Sequence, residues 1–356
     1  MSRERPHIRR LAVLAAALGA LLLAAACGGT AGGSGSNGGA PSQLRLGVFA
    51  NVTHASGLVG INQGFLQKDL GSTKLSTAKF NAGPSAMEAL LGGSIDATYV
   101  GPSPAVNAYV KSHGEALRLV SGATSGGAEL VVKPSITAPD QLRGKKLATP
   151  ELGNTQDVAL RYWLAQIGLK TNTTGGGDVS IQPTDNSSIV TAFRAGQLDG
   201  AWVPEPYASQ LVLTGGGKVL VDEKDLWPQG TFVTTTLAVS KQFLDQHPDT
   251  VRALLRGQVD TNAWIASHPT EAKAAVNAQL GKMAGKPLPQ NVLDRAWGEI
   301  QVTNDPLASS LKTSTDHAVQ VGLLKQPDLK GIYDLKPLND VLKSKGQPPV
   351  GDAGLA

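Results

Sequence analysis

Short polar residues recur in this chain at points where an apolar, strand-like run gives way to a helical one. Thr53 and His54, Gly83 and Ser85, Gly101 and Ser103, and Asn154, Thr155 and Gln156 all occupy such junctions. Thr124, Ser125 and Gly126 form a further polar stretch, and Trp202, Glu205 and Tyr207 belong to a Pro-rich segment. Glycine lets a ligand approach the backbone closely. The first N–H groups of a helix have no intrahelical partner, so such junctions favour an anion. Few cations stand in these loops, so an anion there is held by dipoles and neutral hydrogen bonds. Taken singly, each residue has another reading. Ser, Thr or Asn ahead of a helix is an ordinary N-cap, His54 suits a surface loop and Trp202 suits a core. Glu205, between Pro204 and Pro206, is a rigidly aimed carboxylate that accepts either from a ligand ammonium or hydroxyl or from a group of the protein wall.

Catalytic constellations are not visible. The chain has no Gly-x-Ser-x-Gly elbow, no His-Glu-x-x-His pair and no Walker loop. His113, His247, His268 and His317 are scattered, and Cys27 is the only cysteine. A metal site needs clustered ligands, so neither metal nor cofactor is expected, and a binding protein is expected rather than an enzyme.

The elements that carry these junctions occur twice. Ala89-Leu-Leu-Gly-Gly93-Ser-Ile-Asp96-Ala-Thr-Tyr99-Val100 matches Ala192-Phe-Arg-Ala-Gly196-Gln-Leu-Asp199-Gly-Ala-Trp202-Val203 at an offset of 103 positions. Each copy reads as a helix stopped at a glycine, a short apolar strand and a Pro-rich loop. Asp96 and Asp199, at equivalent places, point to one shared structural role. Upstream the halves also agree: strand 44–49 with loop 51–55 answers strand 146–149 with loop 153–157, and strand 75–80 answers strand 178–182. Each half is β-loop-α-β-loop-α-β, which demands crossovers and a parallel sheet. The fold class is therefore α/β, with two Rossmann-like lobes and a ligand cleft at the carboxyl ends of the strands. Segments 119–132 and 230–239, rich in Gly and β-branched residues, are the expected crossings, forming two hinge strands. The expected boundaries are 44–132 and 237–356 for lobe 1 and 133–236 for lobe 2. From Ser240 onward the pattern is helical and is expected to pack on lobe 1.

The formal charge of +4 is concentrated at one end. Arg3, Arg5, Arg9 and Arg10 against Glu4 supply three of those charges, so no nucleic-acid face is expected. Leu11–Ala26 is an apolar run of 16 residues, shorter than the ~20 needed to span a bilayer. A basic start, a short apolar core and small residues at its end make residues 1–26 a secretory signal. Cys27 follows at once, and Leu23-Ala-Ala-Ala-Cys27 resembles a lipobox, with Ala24 where Leu is usual. Residues 27–43 are then a lipidated cysteine and a Gly/Ser linker with a reach of about 20–24 Å. The expected location is extracytoplasmic, anchored to the outer face of the cytoplasmic membrane.

At the strand-end loops the sequence resembles a known family. Asn81-Ala-Gly-Pro-Ser-Ala-Met-Glu-Ala-Leu90, Gly93-Ser-Ile-Asp-Ala97, Leu142-Arg-Gly-Lys-Lys-Leu147, Gly153-Asn-Thr-Gln-Asp-Val158 and Trp202-Val-Pro-Glu-Pro-Tyr207 are similar to the nitrate/sulfonate/taurine-type solute-binding proteins of ABC importers, aliphatic-sulfonate-binding lipoproteins in particular. The resemblance covers roughly residues 44–280. It implies a type II periplasmic-binding-protein fold, capture of a small anionic solute by lobe closure, and delivery to a membrane permease. A monomer is expected. The resemblance places ligand contacts at Thr53, His54, Gly83, Gly101, Ser103, Ser125, Gly126, Asn154, Thr155, Gln156, Trp202 and Glu205. An aliphatic sulfonate leads, with taurine, nitrate or a pyrimidine-type vitamin precursor as other solutes. A ligand-sensing input protein or an extracytoplasmic enzyme are the readings from other classes.

Overall fold

The computed structural model describes residues 40–356; the expected signal segment, Cys27 and most of the expected linker lie outside them. The first strand, β1 (Gln43–Phe49), alternates partly and then fully buried positions as it enters the core. A 3-10 turn, Val52–His54, leads into α1 (Ala55–Asn62), and α2 (Phe65–Leu70) follows. The unit continues as β2 (Lys74–Phe80), α3 (Gly83–Leu91), β3 (Ala97–Val100), α4 (Pro102–Lys111) and β4 (Leu117–Gly126). The chain then crosses at Gly126–Gly127 and builds a second unit. This comprises β5 (Ala128–Val132), β6 (Lys146–Thr149), α5 (Thr155–Gln166), β7 (Ser180–Pro183), α6 (Asn186–Arg194), β8 (Gly200–Pro204), α7 (Tyr207–Leu213) and β9 (Lys218–Asp222). It returns through β10 (Val233–Ser240) and ends in α8 (Lys241–Gln246), α9 (Pro248–Ser267), α10 (Pro269–Ala284), α11 (Gln290–Gly298), β11 (Ile300–Val302), α12 (Ala308–Gln320) and α13 (Lys336–Ser344).

Apart from the extra edge strand β11, the two sheets share one strand order, read from opposite edges. The first runs β11-β4-β10-β3-β1-β2 and the second β7-β6-β8-β5-β9. Strands β1, β2 and β3 are parallel, as are β6, β7 and β8, because helices carry each crossover. The all-parallel expectation is corrected in both sheets, which are mixed. β10 is antiparallel to β3 and β4, and β5 is antiparallel to β8 and β9. Each of these is the strand that arrives from the other lobe, so it enters its sheet from the opposite end. The expected boundary at 132/133 also shifts: β5 pairs with β8 and β9, so the second sheet begins at Ala128.

The repeat positions do the work their chemistry allows. Gly93 and Gly196 take φ of 67° and 75° at the helix ends, where a side chain would be strained. Asp96 Oδ2 accepts from the Arg45 backbone N–H at 2.8 Å, and Asp199 Oδ2 from that of Lys146 at 2.9 Å. Each aspartate thus fixes the first parallel strand of its own lobe.

The helical tail divides. Ser240 caps α8, its Oγ accepting from Phe243 N at 3.1 Å. Helices α9 and α10 pack on α1 and α2, and α13 on α9, all in the first lobe. Helices α11 and α12 depart from the expectation: α11 also meets α7, and α12 meets both α4 and α5. Among the described residues no helix is long and apolar enough to cross a membrane.

Candidate functional site

A cleft lies between the carboxyl ends of the two sheets. The first turns of α1, α3, α4, α5 and α6 converge on it, contributing Thr53 and His54, Gly83, Gly101 and Pro104, Asn154, Thr155 and Gln156, and Asn186. Thr234 and Thr235 line it from the returning strand β10. The empty space between these atoms, its open mouth included, is about 350 Å³, of which only about 20 Å³ admits the centre of a water-sized sphere, so the lobes stand nearly shut on the cleft. No lining side chain is an aspartate, glutamate, lysine or arginine.

The lobes are in contact across this cleft. Asn81 Nδ2 donates to Pro150 O at 3.2 Å, and Asn81 Oδ1 accepts from Asn186 N at 3.1 Å. A Cβ on Gly101 would come within 2.2 Å of Thr155 Oγ1, so only glycine permits this approach. Asn154 caps α5, its Oδ1 accepting from Asp157 N at 2.8 Å. This side chain is therefore a cap as well as part of the wall. Asp157 does not face the ligand space: it accepts from Thr149 Oγ1, Gly153 N and Arg161 Nε.

Two buried polar atoms of the lining lack any partner, Thr155 Oγ1 and Asn186 Oδ1. Leaving such atoms unpaired costs about 1–3 kcal/mol each, which a polar solute would recover. Asn186 does so either by accepting from the solute or by turning its amide to donate. His54 is 2% exposed, and burial pushes its pKa down to about 3, so the ring is neutral. Its Nδ1 accepts from Phe49 N at 3.3 Å, which assigns the ring proton to Nε2.

Of the residues expected at the site, Thr53, His54, Gly83, Gly101, Asn154, Thr155 and Gln156 line the cleft. The other five do not. Ser103, in the first turn of α4, turns toward α12, its Oγ 3.5 Å from Ser314 Oγ. Ser125 Oγ accepts from Phe232 N at 3.3 Å, and Gly126 O from Thr234 Oγ1 at 2.6 Å, so both are committed to the crossing. Trp202 is core, its Nε1 donating to buried Glu223 at 2.7 Å. Glu205 is fully buried and faces away from the cleft. Its Oε1 accepts from Arg295 Nη1 at 2.8 Å and Ser209 Oγ at 2.9 Å. Of its two sequence readings, the structure selects the wall group.

Asn81, Asn186, Thr234 and Thr235 line the cleft without having been singled out. For the asparagines a signal existed, since loops 81–85 and 184–188 are matched halves of the repeat. The threonines lie inside a strand and carry no local signal. Among the described residues, carboxylate oxygens of Glu129, Asp222 and Glu299 approach within 4.8 Å of one another. Arg295 and Lys224 occupy them as partners.

Residues 37–280 match the NMT1-like family. The chain is 29% identical over 225 residues to the taurine-binding periplasmic protein of Escherichia coli (strain K12), covering 62% of this chain and 67% of that protein. It is 28% identical over 260 residues to a putative aliphatic sulfonates-binding protein of the same organism, covering 70% and 74%. The structure superposes on the alkanesulfonate-binding protein SsuA from Xanthomonas axonopodis pv. citri bound to MOPS with a TM-score of 0.66, at 21% identity, covering 81% and 96%. That likeness is one of fold, the periplasmic-binding-protein fold. The relatives are named for binding, not for catalysis, which agrees with the reading as a non-enzyme. The chain belongs to the NMT1-like family, as a solute-binding protein related to the sulfonate-, taurine- and nitrate-binding proteins of ABC transporters.

Proposed function

We propose that this protein captures an aliphatic sulfonate in the cleft and delivers it to the permease of an ABC importer. The observation that carries the reading is an uncharged cleft where several helix N-termini converge and two buried polar atoms stand unpaired. Such a site stabilises an anion without a counter-charge, through backbone dipoles and neutral donors such as Thr155 and His54. It favours a plain sulfonate over an aminosulfonate. An ammonium would call for a carboxylate, and none lines the cleft; Glu205, one residue beyond Pro204 of the wall, is already held by Arg295. The sulfonate- and taurine-binding relatives support the same class of solute.

Capture proceeds by closure about the two crossings, with Asn154, Thr155 and Gln156 of the second lobe meeting a solute docked on the first. The ligand acts by its greater affinity for the closed form. Lipidation at Cys27 would keep the lobes near the permease on the Gly/Ser leash. Replacing Cys27 by Ser is expected to release the protein from the membrane fraction, and retention would remove the anchor.

The deciding experiment is thermal melting with alkanesulfonates, taurine, nitrate, sulfate and pyrimidine-type precursors. A solute at a hundred times its Kd adds about 2.7 kcal/mol. A shift with alkanesulfonates alone supports the reading. A shift with taurine or nitrate instead reassigns the solute, and silence across all anions removes the sulfonate.

A further inference from the structure

Residues 290–320 reach from the first lobe to the second at three places. On one flank Arg295, in α11, donates through Nη2 to both carboxylate oxygens of Glu129 at 2.7 Å. Its Nη1 donates to Glu205 Oε1 at 2.8 Å and Ser209 Oγ at 2.9 Å. Near the crossing, Lys224 Nζ donates to Glu299 Oε2 at 2.9 Å. On the other flank the ring of His317, in α12, stacks on Tyr162 of α5 with centroids 3.5 Å apart. Arg295, Glu299 and His317 flank β11, which is hydrogen-bonded to β4 of the first sheet. Their partners all lie between Gly127 and Val233, the stretch that builds the second lobe.

Arg295 is also joined to the cleft wall through one residue. The Glu205 backbone O accepts from Val52 N at 2.9 Å, and Val52 opens the turn that presents Thr53 and His54 to the cleft. The Glu205 N–H donates to Gly127 O at 2.9 Å, beside the crossing. A guanidinium fork thus fixes a buried carboxylate whose own backbone ties the second lobe to the ligand loop. Arg295, Glu299 and His317 do not line the cleft themselves. Interactions made only in the closed form shift the population toward it, and apparent affinity scales with the fraction able to bind.

We propose that residues 290–320 form a strap that holds the lobes shut, and that Arg295 is a positioning residue which sets solute affinity without touching the solute. The affinity part rests on the solute reading above; the closure part does not. The test is small-angle X-ray scattering of the ligand-free protein beside Arg295→Gln, each checked for folding by circular dichroism. The variant is expected to show a larger radius of gyration, with Arg295→Lys between the two because it keeps the charge and loses the fork. With methanesulfonate as the probe, Arg295→Gln is expected to raise Kd at least about fivefold.

An unchanged radius of gyration in folded Arg295→Gln overturns the strap. Should that variant not fold, Glu299→Gln and His317→Ala leave the buried carboxylates paired. The same scattering measurement then decides, and unchanged curves in both overturn the proposal. If methanesulfonate fails to bind the unsubstituted protein, the solute reading falls and the scattering still decides the strap. An enlarged variant with unaltered Kd overturns the affinity role of Arg295.

Discussion

The strand-and-loop unit after the third helix and its copy in the second lobe began alike and now do different things. In the first lobe β3 runs into Gly101, which lines the cleft so closely to Thr155 that no side chain fits. In the second lobe β8 runs into Pro204 and Glu205. Only Pro204 reaches the cleft, while Glu205 turns to Arg295. The aromatic residues two positions before those loops diverge in a related way. Tyr99 donates its hydroxyl to neutral Gln258 at 2.9 Å, whereas Trp202 donates Nε1 to the carboxylate of Glu223 at 2.7 Å. The aspartates before them kept one role, anchoring β1 and β6. A duplicated backbone preserves what its own lobe needs, and what each copy meets outside its lobe decides the rest.

The largest effect expected from this contrast is at Gly101. Gly101→Ala puts a methyl group against Thr155 in the closed form, and such overpacking costs about 1–3 kcal/mol. Solute affinity should fall roughly tenfold or more, with the melting temperature of the ligand-free protein little changed. Isothermal titration calorimetry with the solute found by melting checks this, and undiminished affinity would mean that closure does not bring Gly101 and Thr155 together.

Next comes Thr155→Ala, which removes an unpaired buried hydroxyl from the second-lobe wall. A net hydrogen bond of about 1 kcal/mol gives a fall in affinity of several-fold. Asn154→Ala should weaken binding and also lower stability by about 1 kcal/mol, because Asn154 caps α5. Equal melting temperatures for the two variants would contradict the capping role.

A smaller effect concerns the acidic partner of Trp202, Glu223. Burial raises the Glu223 pKa to about 7 against a model-compound value of 4.5. The folded state therefore keeps a proton that the unfolded chain has already lost. That contribution is present below pH 4.5 and disappears as the pH rises to about 7. Melting temperatures between pH 5 and pH 8 should fall less steeply for Glu223→Gln, which keeps an acceptor for the indole. Parallel curves would show Glu223 ionised throughout.

The smallest effect is one of absence. With its pKa near 3, His54 stays neutral across physiological pH, so its ring resonances should not titrate between pH 5 and pH 8. An inflection there would mean that the ring is solvated and that the ligand loop is open in solution.

Much of the fold was legible in the residues because the repeat carries it. Gly93 and Gly196, Asp96 and Asp199, and the apolar strands between the loops prescribe local structure through caps and periodicity. The mixed direction of the sheets was not legible. The direction of β5 and β10 follows from which lobe each strand arrives from, and that is not a local property. The cleft was legible where residues stand at helix N-termini, as with His54, Gly101 and Asn154 to Gln156. It was illegible at Thr234 and Thr235, whose strand looks like any other β-branched run.

The sequence by itself determined two α/β units, the place of their strand-end loops and the scarcity of cations in them, because periodicity, glycine and helix-capping chemistry act within a few residues. Only the tertiary structure decided which loop residues face the solute. Glu205 is drawn to a guanidinium 90 residues later in the chain. Trp202 reaches a carboxylate beyond β9, and the tail from α11 to α12 spans both lobes. A buried carboxylate turns to whichever cation the fold brings within reach, since leaving it unpaired costs more than any local preference of the loop.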